Sequence, residues 1–289
     1  MTAPVFRFIE ANGLEFGLLE RGPANGPLVL CLHGFPDCAQ SWLPLLDALA
    51  AQGYRAVAPA MRGYLPSGIP ADGDYRVTTL ARDVIALIDH LGAERAVVIG
   101  HDWGAVATYL AAALRPDRVR AVVTAAIPHL RRFLLRPTGA QLWRSRYMAR
   151  FQARGIEPGL LAHDQHELRM LARSWSPKLE VETALAPVWA GFADPARLQA
   201  ALGYYRALPA ALLSGDAWKL ILTPVPVPAL VIYGADDGCI GREMFRSQQH
   251  LFAASLRERE FAGAGHFMQL EQPQRFAEEV LGFLDTLKT

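Results

Sequence analysis

The sequence predicts an α/β fold: a mostly parallel sheet flanked by helices, with a helical segment inserted in the middle of the chain. Three observations predict it. Short apolar, β-branched runs alternate with stretches of helical spacing, the pattern of βαβ units. Asn12-Gly13 lies between two β-rich runs and marks a hairpin, which adds an antiparallel edge. The alternation stops after Pro128, and from His129 to roughly Gly215 helical stretches follow one another without a convincing strand.

Taken in order, Val5, Phe6, Phe8 and Ile9 form the first run, and Leu14, Phe16 and Leu18 alternate in the second. Arg21 to Pro27, with its Gly and Pro, reads as a turn. Leu28 to Leu32 is wholly apolar, a buried strand ending in His33-Gly34-Phe35-Pro36. Trp42 to Ala51 has helical spacing, and Tyr54 to Ala58 is another short strand. Leu80, Val84, Leu87, Ile88 and Leu91 recur at threes and fours, so Thr78 to Leu91 reads as an amphipathic helix capped by Thr78 or Thr79. Val97 to Ile99 is a strand, Ala105 to Leu114 a helix and Val119 to Ile127 the next strand. After the helical segment, Thr223 to Pro228 alternates with Pro and forms a stiff extended return. Strand Ala229 to Tyr233, a helix from about Arg242, strand Leu256 to Phe261 and a last helix Pro273 to Leu287 complete the pattern. The chain thus divides into a core, 1–128 with 216–289, and a helical unit, 129–215.

Bulk properties narrow the classes. At 52% hydrophobic and 20% charged, the 289 residues have an ordinary soluble globular composition. A net charge of +1 gives no reason to expect nucleic acid. No apolar run approaches the ~20 residues of a membrane span, and Met1 to Glu10 lacks the pattern of a signal peptide. Cys31, Cys38 and Cys239 have unrelated spacings, which suggests neither disulfides nor zinc and points to a reduced cytoplasm.

The chemistry concentrates at Gly100-His101-Asp102-Trp103-Gly104, between a buried strand and a helix. Small residues at both ends allow the sharp turn of a nucleophile elbow, with Asp102 at the centre in place of Ser. Two more polar residues follow strands: Asp237 in Gly-Ala-Asp-Asp-Gly and His266 in Gly-Ala-Gly-His-Phe. Asp236 competes with Asp237 as the acid. Ligands bind beyond the carboxyl ends of such strands, which puts the three on one side. A carboxylate is ionised at pH 7 and attacks saturated carbon without a base, forming an alkyl ester. His266, oriented by Asp237, is then free to activate water against that ester. The N–H groups of Phe35 and Trp103 are placed to hold the oxyanion.

His33-Gly34-Phe35-Pro36-Asp37, Arg62-Gly63-Tyr64, the Asp102 elbow and Gly263-Ala264-Gly265-His266-Phe267 together resemble the landmarks of the α/β-hydrolase superfamily. The resemblance runs along nearly the whole chain and is greatest to the epoxide hydrolase branch. It implies an α/β-hydrolase fold with a helical cap, and two cap tyrosines that hold the epoxide oxygen. Tyr147 and Tyr205 match those segments, with Tyr204 the competing choice for the second. It also implies a substrate pocket touched by Phe35, Pro36, Trp103, Tyr147, Tyr205 and Phe267. Two positions depart from the pattern: Ala105, where relatives often carry a Gly, and Met61, where an acidic residue commonly precedes Arg-Gly.

The expected reaction is hydrolysis of an epoxide to a vicinal diol, with water as co-substrate and neither cofactor nor metal. A haloalkane or haloacid dehalogenase would use the same Asp and His, with Trp103 as a halide donor, but the tyrosine pair favours the epoxide. A ligand-binding protein on the same fold would have no need of an aligned acid and base. His33 and His101 read as structural. His163, Asp164, His166 and Glu167 read as a solvated helix face rather than a metal site. Arg131 to Arg154 holds seven Arg and no acid, a wet surface or an attractor of anions. No motif fixes the oligomeric state.

Overall fold

The computed structural model describes residues 5–288; residues 1–4, the start of the stretch read for a signal peptide, and Thr289 lie outside the described residues. One sheet contains β1 (Arg7–Ala11), β2 (Leu14–Arg21), β3 (Leu28–Leu32), β4 (Arg55–Pro59), β5 (Ala96–His101), β6 (Val119–Ala125), β7 (Ala229–Gly234) and β8 (Leu256–Phe261). Their order is β1-β2-β4-β3-β5-β6-β7-β8. The hairpin turns at Asn12-Gly13, whose φ angles of 46° and 72° suit that dipeptide. β2 is antiparallel to β4, and every later pairing is parallel.

The helices before the long excursion are α1 (Leu43–Ala51), α2 (Val77–His90) and α3 (Trp103–Leu114). The excursion between β6 and β7 is helical among the described residues: α4 (Leu130–Leu135), α5 (Gly139–Arg144), α6 (Arg146–Phe151), α7 (Glu157–Trp175), α8 (Val181–Ala184), α9 (Ala186–Phe192), α10 (Pro195–Arg206), α11 (Leu208–Leu212) and α12 (Gly215–Leu222). Then come α13 (Met268–Glu271) and α14 (Pro273–Asp285). Local chemistry sets these boundaries. Pro occupies the first turn of α7, α9, α10 and α11, where its missing N–H costs nothing. The Asp194 carboxylate caps α10 by accepting from Ala196 N–H at 2.9 Å.

The central strands are apolar on both faces, as parallel strands covered on two sides must be. Val29, Cys31, Val97, Ile99 and Val123 join the core built with α1 and α14. Leu28, Leu30, Leu32, Val98 and Val122 join the core built with α2 and α3, and that core continues into the excursion through Phe151, Trp175 and Tyr205.

Four local expectations need correction. The helix from Arg242 is two 3₁₀ turns, Arg242–Phe245 and Gln249–Leu251, separated near Ser247 at φ 59°. There Phe245 stacks on Tyr233 at 4.2 Å, a tertiary contact that outweighs helix spacing. The cap of α2 is neither Thr78 nor Thr79. The chain enters at Arg76, where the Asp74 carboxylate accepts from Arg76 N–H and from the Thr79 hydroxyl. Trp42 ends a 3₁₀ turn, Ala39–Trp42, rather than beginning α1. Finally, α7 is broken at Ala162–Gln165, where His163, Asp164 and Gln165 take positive φ, so His163 and His166 do not share one regular helix face. No group of three or more His, Cys, Asp or Glu able to hold a metal occurs among the described residues.

Candidate active site

β3 is followed by β4 on one side, and the chain then crosses to β5 on the other. Strand order reverses there, and such a switch point opens a crevice at the strand ends. The loop after β3 brings Gly34 and Phe35 to it, and the turn after β5 brings Asp102. The approach is close: a Cβ on Gly34 would lie 2.4 Å from Asp102 Cβ and Oδ1. A Cβ on Gly104 would lie 2.1 Å from Leu32 O, so α3 leaves the elbow tightly against β3.

Asp102 has φ 50° and ψ −118°, a conformation that costs energy in a residue with a side chain and is kept where the surroundings impose it. Its Oδ1 accepts from Phe35 N–H at 2.8 Å. Trp103 N–H belongs to the first turn of α3, where no helix carbonyl is available to it. Burial disfavours the Asp102 charge, but His266 and the Phe35 N–H outweigh burial and hold its pKa below the ordinary value.

His266 follows β8 and Asp237 follows β7, on neighbouring strands. His266 Nδ1 is 2.9 Å from Asp237 Oδ2. Asp237 Oδ1 also accepts from Cys239 N–H at 2.6 Å and Ile240 N–H at 2.9 Å, which fixes the carboxylate plane. His266 Nε2 is 3.6 Å from Asp102 Oδ2 and makes no hydrogen bond. That gap faces the nucleophile. Burial disfavours the imidazolium, but Asp237 and Asp102 override it and raise the pKa to about 10. Asp236, the competing acid, instead pairs with Lys178 at 2.8 Å on the surface.

The tyrosines separate cleanly. Tyr204 donates its hydroxyl to Arg62 O at 2.8 Å. The Tyr205 hydroxyl is buried and makes no hydrogen bond, and its ring meets Trp103 edge-on at 5.1 Å. Tyr147 lies beside it, ring centroids 5.8 Å apart, with its hydroxyl 3.5 Å from Cys239 Sγ. Burial raises both phenol pKa values well above 10, so both remain proton donors.

Asp102, Tyr147 and Tyr205 share a cavity of about 80 Å³ between α3, α4, α6 and α11. Its other walls are apolar, among them Val106, Leu110, Leu130, Phe133, Met148 and Leu208. Among the described residues that line it, these three alone carry side-chain oxygen. Trp103 lines it too. Phe35, Pro36 and Phe267, expected at the pocket, do not. The Phe35 ring turns sideways into Phe151, Trp175 and Phe192, leaving its N–H toward Asp102. Pro36 follows it through a cis peptide bond in a buried loop. Phe267 packs on the rings of His101 and His266.

His33 and His101 serve backbone groups. His33 Nε2 accepts from Met61 N–H at 2.9 Å, and His101 Nε2 bonds His266 O at 2.9 Å. The end of α7 was not visible as functional in the sequence. Trp175 O accepts from His266 N–H at 3.0 Å and Gly238 N–H at 3.1 Å, gripping both loops of the His–Asp pair. Carbonyl partners leave no trace in side-chain identity, so no motif marks them.

The fold and this strand-end constellation define an α/β hydrolase. A family model described as alpha/beta hydrolase fold matches residues 27–273. Epoxide hydrolase A of Mycobacterium tuberculosis is 34% identical, over 100% of this chain and 99% of its own length. An epoxide hydrolase of Caballeronia sordidicola is 30% identical, over 96% and 93%. The crystal structure of Epoxide Hydrolase A from Mycobacterium thermoresistibile has a TM-score of 0.83 at 29% identity, covering 98% of both chains. The chain belongs to the alpha/beta hydrolase fold family, in its epoxide-hydrolase-like branch.

Proposed function

We propose that the protein hydrolyses an epoxide to a vicinal diol through an ester on Asp102. The observation that carries this is the apolar cavity whose oxygen-bearing side chains are one carboxylate and two phenols. A carboxylate supplies the nucleophile. Two phenols supply what an epoxide needs and a halide does not, a proton for the departing oxygen. Residues 129–215 act as the cap that brings the phenols over the core formed by 1–128 and 216–289.

In the first step Asp102 Oδ2 attacks one epoxide carbon, the C–O bond breaks, and Tyr147 and Tyr205 stabilise and protonate the oxygen. Ester formation removes the Asp102 charge, and with it part of what holds the His266 imidazolium. Its proton passes to the tyrosine pair, restoring the phenol and leaving His266 neutral. In the second step His266 takes a proton from water, which attacks the ester carbonyl of Asp102. The N–H groups of Phe35 and Trp103 hold the oxyanion. Collapse releases the diol, and the remaining proton restores the starting charges. The substrate is thus a small-molecule epoxide together with water. The setting we propose is the cytoplasm, with which the three free, buried cysteines are in keeping. No described helix is long and apolar enough to cross a membrane.

Intact mass of the His266→Gln variant, after mixing with a panel of epoxides and haloalkanes, tests the reading. An adduct equal to the whole epoxide, mapped to Asp102, is the expected result. An adduct lighter than the haloalkane by one hydrogen halide would make the protein a dehalogenase.

A further inference from the structure

Gln141 is 1% exposed, although it lies on α5 within the arginine-rich part of the excursion. A buried carboxamide must find partners for two donors and an acceptor. Those of Gln141 come from the end of its own helix and from a loop 98 and more positions away. Its Nε2 donates to Cys239 O and to Ser145 Oγ, each at 2.9 Å. Its Oε1 accepts from Gly241 N–H at 2.9 Å.

Both pieces carry reactive groups. Ser145 is the junction between α5 and α6, and Tyr147 stands in the first turn of α6. Cys239 and Ile240 give their N–H groups to Asp237, and Ile240 lines the cavity. The Tyr147 hydroxyl rests on Cys239 Sγ. The acid that orients His266 and the phenol over Asp102 therefore meet on one three-residue loop, 239–241. Gln141 ties that loop to the helix junction from inside. An outer tie runs parallel to it, Arg144 to Glu243 at 2.7 Å, but it is partly solvated and holds no group of the cavity.

We infer that Gln141 is a positioning residue for ring opening: its carboxamide sets the Tyr147 hydroxyl relative to the Asp237 loop, and so relative to Asp102. This rests on the epoxide reading above. Leucine at this position keeps the volume and loses all three hydrogen bonds. Glutamate keeps the acceptor for Gly241 N–H, and donates to Cys239 O when its carboxyl is protonated.

The experiment is single-turnover ester formation with styrene oxide, followed by quenched intact mass, in the His266→Gln background so that the ester accumulates. Gln141→Leu is expected to lower the rate at least tenfold. In a Tyr147→Phe background the same change is expected to cost less than twofold, because the group being positioned is gone. Gln141→Glu is expected to recover rate as pH is lowered, relative to the His266→Gln parent, and serves if the leucine variant does not fold. A purely structural role would lower Tm without this coupling or this pH profile. Equal rates in Gln141→Leu and its parent would overturn the inference. So would full additivity with Tyr147→Phe, or a Gln141→Glu rate that ignores pH. Absence of any adduct in the parent, with the whole epoxide panel, overturns the epoxide reading instead.

Discussion

Tyr204 and Tyr205 are neighbours on α10, about 100° apart around the helix axis. That rotation sends one hydroxyl to a backbone carbonyl and the other into the cavity. Tyr205→Phe is expected to slow ester formation by roughly a hundredfold, the usual effect of removing one donor from a developing oxyanion. Adding Tyr147→Phe should take it close to the background rate. Tyr204→Phe should leave the rate alone and cost about 1–3 kcal/mol of stability, because Arg62 O loses its buried donor. Stopped-flow alkylation and urea unfolding of the variants check both statements. The resemblance favoured Tyr205 and left Tyr204 as a competitor, since the partner that separates them, Arg62 O, lies 142 positions away and is main chain. Gln141 was invisible for a similar reason, since it bonds loop backbone and a single serine in no recognisable pattern.

At the same scale, His266 ties pH to stability. Its pKa is about 10 in the folded chain, against an ordinary value of 6.5. The folded state binds its proton more tightly, so the stabilisation is complete below about pH 6.5 and is lost as pH rises toward 10. In His266→Gln, the glutamine side chain at position 266 does not titrate. The Tm advantage of the wild type over this variant should shrink steadily across that window, and an advantage that stays constant would contradict the pairing with Asp237 and Asp102.

Among the elements, the elbow is the least forgiving. Gly104 stands where α3 leaves the turn, with Leu32 O 2.1 Å from the place a methyl would occupy. Gly104→Ala should cost about 1–3 kcal/mol or more, as overpacking does, and should displace Asp102 from Phe35 N–H. Urea unfolding and the rate of ester formation should fall together. The parallel strands were legible because their apolar runs are buried on both faces, and the helices against them because apolar residues recur at threes and fours along one buried stripe. Legibility failed where tertiary contacts overrode local spacing. The Arg242 segment curls so that Phe245 reaches Tyr233, and α7 breaks at Ala162–Gln165. The order of Asp102, Asp237 and His266 along the chain could be read directly, because each follows a strand. Their partners in the backbone of α7 could not.

Across the whole molecule, one buried ion pair joins several layers. Arg62 Nε is 2.6 Å from Asp83 Oδ2, and Arg62 Nη2 is 2.7 Å from Asp83 Oδ1. Asp83 belongs to α2, Arg62 follows β4, and Arg62 O holds Tyr204 of the excursion. Arg62→Met strands the Asp83 charge with only Asn12 Nδ2 beside it. The expected loss is about 3–5 kcal/mol, read by urea unfolding, and a loss below 1 kcal/mol would show that the pair can relax without cost.

The His266 imidazole sits between two carboxylates. At neutral pH the resting site already stores the proton that ring opening consumes, and the water molecule that completes the cycle puts it back. The catalyst is a closed proton circuit. Its ring-opening step should therefore be indifferent to buffer concentration, and a whole turnover should leave the acidity of an unbuffered solution unchanged.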